Sequence, residues 1–241
     1  MNITLFDANI KSNPRMTAAH EKADIEKVFD KAKKQNADFI TFCEIAYPRM
    51  RKAVKKAAKK HGYGYAGAHA GSENVVCWRK SMWKKNRSLV KFLTSGIAKL
   101  TPTRTGTWVT FKPVNGVKVG VMGTHLVNRW QNKSDARYAT RHKLANTEIA
   151  KLSKKLNKAA ANGHYAIVSG DVNAPETMVQ WATGTHEQVN FWPHEGGDMQ
   201  KMMQAAIIPP HGHTVLRGKH DAIPLSELNT DHPVPYGSVV V

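Results

Sequence analysis

Short apolar runs and longer amphipathic stretches alternate along this chain, and the alternation predicts most of its elements. Asn2 to Asn9 reads as a strand, and Ala18 to Asn36 as a helix with Ala23, Val28, Phe29 and Ala32 on its inner side. Asp38 to Glu44 reads as a second strand, followed by a helix over the basic stretch Arg49 to Lys60. Asn74 to Arg79, Leu89 to Leu93, Thr107 to Phe111 and Val117 to Thr124 read as strands parted by turn residues such as Asn115-Gly116. Lys133 to Ala161 is the longest helical pattern and stops at Asn162-Gly163. Tyr165 to Ser169 is a strand, a loop-rich region continues through Pro210, and strands near Ala222 to Leu225 and Gly237 to Val241 close the chain. No repeat, low-complexity tract or Pro, Gly and Ser-rich linker marks a boundary, so residues 1-241 read as one mixed α/β domain. At 241 residues and 41% hydrophobic, the chain can bury a full core.

Charge changes this picture most. The 36 Lys and Arg against 18 Asp and Glu give a formal net charge of +18, an excess that points to a polyanionic partner. From Ile45 to Ser134 there are 19 basic residues and a single acidic one, Glu73. A helix over Arg49 to Lys60 puts Lys52, Lys55, Lys56, Lys59 and Lys60 along one broad face, with Ala53, Val54 and Ala57 behind it. A solvated lysine face usually carries some glutamates, and this stretch has none, which favours contact with a phosphate backbone. Cys43 and Cys77 lie in apolar, strand-like runs and read as small core residues, compatible with a reducing cytosol. The start, Met1 to Phe6, has neither a basic region nor a long apolar stretch. No run approaches the roughly 18 apolar residues of a membrane span, so a cytoplasmic location with no membrane contact is expected. No obligate protein partner is evident.

Polar residues gather where the apolar runs end. Asn9 closes the first strand, Glu44 the second and His125 the strand Val117 to Thr124, while Asp171 and Asn173 follow Tyr165 to Ser169. Asp221 and Asp231-His232 repeat the habit near the C-terminus. Asp171 and Asn173, two apart at the end of a buried strand, can leave one face together, although Asp-x-Asn is also a common turn. Gly170 lets the backbone approach a neighbour closely, and Pro175 forbids a further central strand. Strand ends suit a functional site because a rigid sheet aims side chains that loops alone do not hold. Carboxylate and amide oxygens around one point make a hard-oxygen site suited to Mg2+ or Mn2+, not the thiolate and imidazole set that zinc prefers. His211 and His213 read as part of a polar loop beside Pro209 and Pro210 in preference to a metal pair. Trp78, Trp83, Trp108 and Trp130 stand among basic residues and read equally as base-stacking or packing residues, with Trp130 beside Arg129 the best placed to stack.

Taken together, Asn9 in Asp7-Ala8-Asn9-Ile10, Glu44 in Phe42-Cys43-Glu44, Thr124-His125-Leu126, Gly170-Asp171-Val172-Asn173, His220-Asp221-Ala222-Ile223 and Thr230-Asp231-His232-Pro233-Val234 resemble the successive motifs of the endonuclease/exonuclease/phosphatase superfamily, the deoxyribonuclease I-like proteins. They occur in family order and span residues 9 to 234. The resemblance implies a four-layer αββα sandwich of two mixed β-sheets flanked by helices, and metal-assisted phosphoester hydrolysis. It implies that Glu44 is the primary ligand of Mg2+ or Mn2+, with Asn9, Asp171 and Asp231 completing the shell. Asp171 and Asn173 would also position the attacking water and a non-bridging phosphate oxygen. His232 would be the general base or a transition-state donor with Asp221 orienting its ring, and His125 would meet the scissile phosphate or leaving group. Glu73 reads either as one half of a lysine pair or, as the resemblance implies, as the family glutamate that holds the second nitrogen of that histidine.

Some positions depart from the pattern. Lys11 stands where some nucleases of the family carry an acid, which argues against a second metal on that side. Val172 replaces the usual aromatic, and Thr230 the usual Ser. The family's abasic-site endonucleases carry Tyr where this chain has His125, so the match leans toward the deoxyribonuclease I type. Arg137, in Ser134-Asp135-Ala136-Arg137, resembles a Ser-x-x-Arg region and is a candidate phosphate contact alongside Arg129 and Trp130. The expectation is a metal-dependent endonuclease acting on DNA. Its rival is a phosphomonoesterase or phospholipid-headgroup hydrolase of the same superfamily, for which so basic a chain has no evident use.

Overall fold

The computed structural model of the chain describes residues 1–10, 16–67, 73–95, 103–128, 137–174, 178–192 and 203–241. Among the described residues, two six-stranded sheets pack face to face. The strands of the first are β1 (Asn2–Asn9), β2 (Phe39–Cys43), β3 (Tyr63–Gly67), β4 (Val75–Arg79), β11 (Leu216–Ile223) and β12 (Val234–Val240), in the order β11-β12-β1-β2-β4-β3. The second holds β5 (Lys85–Thr94), β6 (Arg104–Phe111), β7 (Lys118–His125), β8 (His164–Asp171), β9 (Val189–Asn190) and β10 (Met203–Ile208), in the order β5-β6-β7-β8-β10-β9. Helices α1 (Ala18–Lys34) and α2 (Pro48–Lys60) cover the first sheet, and α3 (Tyr138–Ala161) covers the second, completing the four layers.

Strand alternation sorts the side chains into three apolar layers. On β1, Phe6 and Ala8 face α1 and α2, while Ile3 and Leu5 face the other sheet. On β8, Ala166 and Val168 meet α3, while Tyr165 and Ile167 fill the space between the sheets. Within that middle layer polarity changes along the strands: Ile3 and Leu5 give way to Asp7 and Asn9, Phe39 to Thr41, and Tyr165 and Ile167 to Ser169 and Asp171. The transition is built in the same direction because β1 runs parallel to β2 and β7 parallel to β8, whereas the other sheet pairings are antiparallel. Buried Thr41 joins the sheets at the start of the polar end, donating to Asp7 Oδ1 at 2.8 Å and lying 2.7 Å from Ser169 Oγ.

Several boundaries differ from the sequence expectation, for identifiable reasons. β10, MQAAII, lies inside the expected loop region; it is buried on both faces and shows no polar alternation to advertise a strand. β11 starts well before Ala222 because it is an edge strand exposed on most positions and carries almost no apolar signal. β3 was masked by its glycines: Gly64 lies under the Trp78 ring, where any Cβ would come within 2.1 Å of it. α3 begins at Tyr138, residues 133–136 lying outside those described. Trp78, Trp83 and Trp108 are core residues, and Cys43 and Cys77 are buried free thiols.

The closest approach that matters to the polar end is at Gly170, opposite Thr124 in the parallel β7–β8 pair. A Cβ there would lie 1.8 Å from the Thr124 carbonyl oxygen, at φ +154°. Gly170→Ala should therefore destabilise the fold by at least about 2 kcal/mol, since the obstacle is backbone and cannot swing aside. Urea unfolding measures this directly, and an unchanged midpoint would contradict the contact.

Candidate active site

The ends of the two parallel pairs converge on one point. Asn9 ends β1 and Glu44 follows β2; His125 ends β7 opposite Asp171, which ends β8. The Asn9 amide nitrogen donates to Glu44 Oε1 at 3.1 Å and to Asp171 Oδ2 at 3.0 Å, tying the two sheets together. Glu44, His125 and Asp171 each offer a ligand atom, all within 4.8 Å of one another. Glu44 adopts a left-handed backbone at φ 60°, unusual for a residue with a Cβ and worth about 1 kcal/mol or more of strain. The Ile45 N–H donating to the Glu73 carbonyl at 2.9 Å helps hold that turn.

Asp171 and Asn173 do meet, but through a turn and not by strand alternation. The Asn173 N–H donates to Asp171 Oδ1 at 2.9 Å, with Asn173 at φ 50°. The Asn173 side-chain amide donates to the Leu126 carbonyl at 3.0 Å, bracing the segment after His125.

On the β7 side, His125 Nδ1 lies 3.2 Å from Glu73 Oε1, and its Nε2 lies 3.7 Å from Glu44 Oε1. Arg104, which no sequence motif marked, sits in the same place: its Nη1 is 2.9 Å from His125 Nδ1 and is ion-paired to Glu73. Burial works to raise the Glu73 carboxyl, but His125 and Arg104 outweigh it and hold the group down at about 2. A second unmarked carboxyl, Glu148 of α3, accepts from the Val127 N–H at 2.8 Å and from the Thr94 hydroxyl, fixing the backbone just beyond His125. Burial raises Glu148 despite those bonds. Asp7 lies beneath the site, where burial pushes its carboxyl up to about 7 against the Thr41 and Ser169 hydroxyls.

The remaining imidazole enters on the segment before β12. His232 Nε2 lies 3.5 Å from Asp231 Oδ1 and 3.9 Å from Asp171 Oδ2. Asp24 of α1 holds this segment in place: its buried carboxylate accepts from the Asn229 N–H at 2.9 Å, the Asn229 side chain at 2.7 Å and the Thr230 N–H at 3.0 Å. Thr230 Oγ1 donates to the Asn9 carbonyl at 2.9 Å. Asp221, expected to orient His232, does not. The β11–β12 register sets it opposite Tyr236, whose hydroxyl donates to Asp221 Oδ2 at 2.6 Å, and His232 Nδ1 is buried without a partner. The Tyr236 hydroxyl is also the chief cause that lowers the Asp221 carboxyl.

Residues expected to bind nucleic acid are only partly placed. Lys52, Lys55, Lys56 and Lys59 are exposed on α2, but the helix is not free of acids in space. Glu21 of α1 pairs with Arg49, and Glu26 of α1 pairs with Lys60, each at 2.8 Å. Arg137 is exposed at the start of α3, while Arg129, Trp130 and Lys11 lie outside the described residues. His211 and His213 are engaged separately, His211 by the Thr185 carbonyl and His213 by the Tyr165 hydroxyl, so they form no metal pair.

The donor set fits a hard divalent cation. Carboxylates converge with an amide, and Asn9 Oδ1 is buried with no hydrogen-bond partner on the side opposite its two donated bonds. Glu44, Asp171 and Asn9 supply oxygens at this point, and Asp231 joins through His232 without entering the closest group.

The architecture is the deoxyribonuclease I-like sandwich of endonuclease/exonuclease/phosphatase proteins. D. rerio TDP2 complexed with single-strand DNA product matches with a TM-score of 0.73 at 14% identity, covering 100% of this chain and 99% of that one. The endonuclease/exonuclease/phosphatase from Bacteroides vulgatus gives a TM-score of 0.72 at 14% identity, with 100% and 99% covered. The mannosyl-6-phosphatase of Bacteroides thetaiotaomicron gives 0.67 at 12% identity, with 99% and 100% covered. No family model matches the sequence, and no curated protein matches it.

Removing the clamp on the His232 segment is a direct test of how the site is held. Asp24→Ala should cost about 2 to 4 kcal/mol and speed amide exchange at Asn229 and Thr230 by at least about tenfold, since both N–H groups lose a charged acceptor. Protection factors equal to those of the parent protein would show that the segment is held by something else.

Proposed function

We propose that this protein is a divalent-metal-dependent hydrolase that cleaves phosphodiester bonds in DNA. The observation that carries the reading is the convergence of Asn9, Glu44 and Asp171 between two imidazoles, His125 and His232, at the joined ends of two sheets. Glu44, Asn9, Asp171 and Asp231 would hold Mg2+ or Mn2+, which when bound supplies positive charge against the phosphate. His232 takes the proton of the attacking water as the new P–O bond forms. Asp171 Oδ2 lies 3.9 Å from the His232 Nε2, and Asn173 keeps Asp171 and the His125 segment in register. From the other side His125 donates to the phosphate oxygen or to the departing ester oxygen as that P–O bond breaks. Glu73, itself held by Arg104, fixes its ring through Nδ1 and leaves Nε2 toward the site.

DNA is the substrate this reading favours because the net charge of +18 suits a polyanion. A similar structure, D. rerio TDP2, carries single-strand DNA product. Exposed Lys52, Lys55, Lys56 and Lys59, with Arg137, would meet its phosphates, alongside Arg129 and Trp130. Among the described residues no helix is long and apolar enough to cross a membrane.

Purified protein incubated with supercoiled plasmid, linear duplex, single strand and RNA, with Mg2+ or with chelator, tests the proposal. Cleavage of DNA that chelator abolishes supports it; turnover of small phosphomonoesters with no cleavage of any nucleic acid would overturn it. Glu44→Gln and Asp231→Asn should each lower DNA cleavage at limiting Mg2+ by at least about 100-fold while leaving the unfolding midpoint nearly unchanged.

Glu73 provides a finer test. Glu73→Gln should reduce turnover roughly 10- to 1000-fold with metal affinity almost untouched. Combined with His125→Ala it should do no further harm, because the two act as a unit. Losses that multiply in the double variant would separate Glu73 from His125.

A further inference from the structure

A second cationic surface lies away from the site, and the chain packs it deliberately close. β5 forms one edge of the second sheet, and α3 lies across that sheet's outer face against it. Lys91 of β5 feels the charges of Lys151, Lys154 and Lys155 of α3, and Lys155 in turn those of Arg87 of β5 and Lys158. The cluster has built geometry: Lys91 Nζ donates to the Lys151 carbonyl at 2.7 Å, Lys151 Nζ donates to the Leu93 carbonyl, and the Lys155 ammonium lies 5.3 Å from the centre of the Trp108 ring. Burial, and then the neighbouring cations, lower the Lys91 and Lys155 ammonium groups. The acid of α3, Glu148, is buried against Thr94 and Val127 and turned away from this face. α2 differs, since its end residues Arg49 and Lys60 pair with acids of α1.

Like charges packed this closely raise the energy of the folded chain unless an anion lies across them. Counterions released on that contact would add a salt-dependent gain. The surface also has a direction. Glu148, within α3, accepts from the Val127 N–H just beyond His125, and Lys151 to Lys158 follow it along the helix, so the cations lead away from the His125 side of the site.

We propose that the β5–α3 surface grips the phosphate backbone of a nucleic acid at a distance from the scissile bond, as a contact separate from the site and from α2. This rests on the nuclease reading above and deepens it, because such a contact serves an extended strand and not a small phosphoester. Arg87, Lys154 and Lys158 are exposed and are the cations that would reach phosphates. Lys91, Lys151 and Lys155 hold the frame through their carbonyl and ring contacts.

The test is binding of a fluorescent duplex oligonucleotide in chelator, followed over a range of salt, for the full chain and for the triple variant Arg87→Gln, Lys154→Gln, Lys158→Gln. Each lost phosphate contact flattens the slope of log affinity against log salt by about 0.9, so the triple variant should lose about 2 to 3 units of slope. Lys158→Gln alone should lose about 1, which keeps the test available if the triple variant folds poorly. Lys158→Arg should keep the parent slope. An unchanged slope in a folded triple variant, with the parent protein binding DNA, overturns the second contact and leaves the proposed activity standing. A parent protein that binds no duplex overturns both. Parent binding to phosphatidylserine vesicles that the triple variant loses, while its DNA slope is unchanged, would assign the surface to a membrane instead.

Discussion

Two parallel strand pairs set face to face are the constraint on which this site depends. A parallel pair brings both carboxyl ends to the same edge of a sheet, so β1 with β2 delivers Asn9 and Glu44 together, and β7 with β8 delivers His125 and Asp171. Stacking the sheets then joins the edges. The joint is held by the Asn9 amide, which reaches one carboxylate in each direction. Two carboxylates within 4.8 Å repel by about 3 kcal/mol at an effective dielectric of ~20, and two charge-assisted hydrogen bonds offset that by a similar amount. The site is therefore balanced and not relaxed, with Asn9 Oδ1 turned the other way and unsatisfied.

The sequence carried the outline of this arrangement well where physics forced a local signature. Asn9, Glu44, His125 and Asp171 were legible because apolar runs that end in a polar residue mark where a sheet leaves its core. Glu73 stood out as the lone acid of a basic stretch, which by itself suggested half of a lysine pair; only the family resemblance pointed to His125. What sequence could not show is what approaches from elsewhere. Arg104 is one cation among many, and only the β4–β6 side of the sandwich reveals that it sits between Glu73 and His125. Asp24 and Glu148 look like solvated helix acids, yet both are buried against backbone N–H groups that their helices reach by packing. Asp221 failed for the same kind of reason, since the pairing of β11 with β12, and not proximity in a motif, decides its partner.

Charge read along the chain misleads in the same way. The unbroken basic run of α2 becomes a mixed surface once α1 packs beside it, whereas the lysines of α3, spread among neutral residues, gain company from β5. Similar sandwiches serve a DNA-bound TDP2 and a mannosyl-6-phosphatase, so the frame leaves substrate choice open. Surface charge is not dictated by that frame, and here the formal net charge is +18.

The tether from Asp24 to the Asn229 and Thr230 amides has a consequence for order in time. β1 can complete its sheet only by pairing with β12, and His232 comes into place only on the segment that leads into that strand. In chain order Asn9, Glu44, His125 and Asp171 all precede His232, so the second imidazole is the last of these groups to be synthesised. A nascent chain that has exposed Glu44, His125 and Asp171 still lacks His232, so the full cluster forms in one step when the closing strand docks.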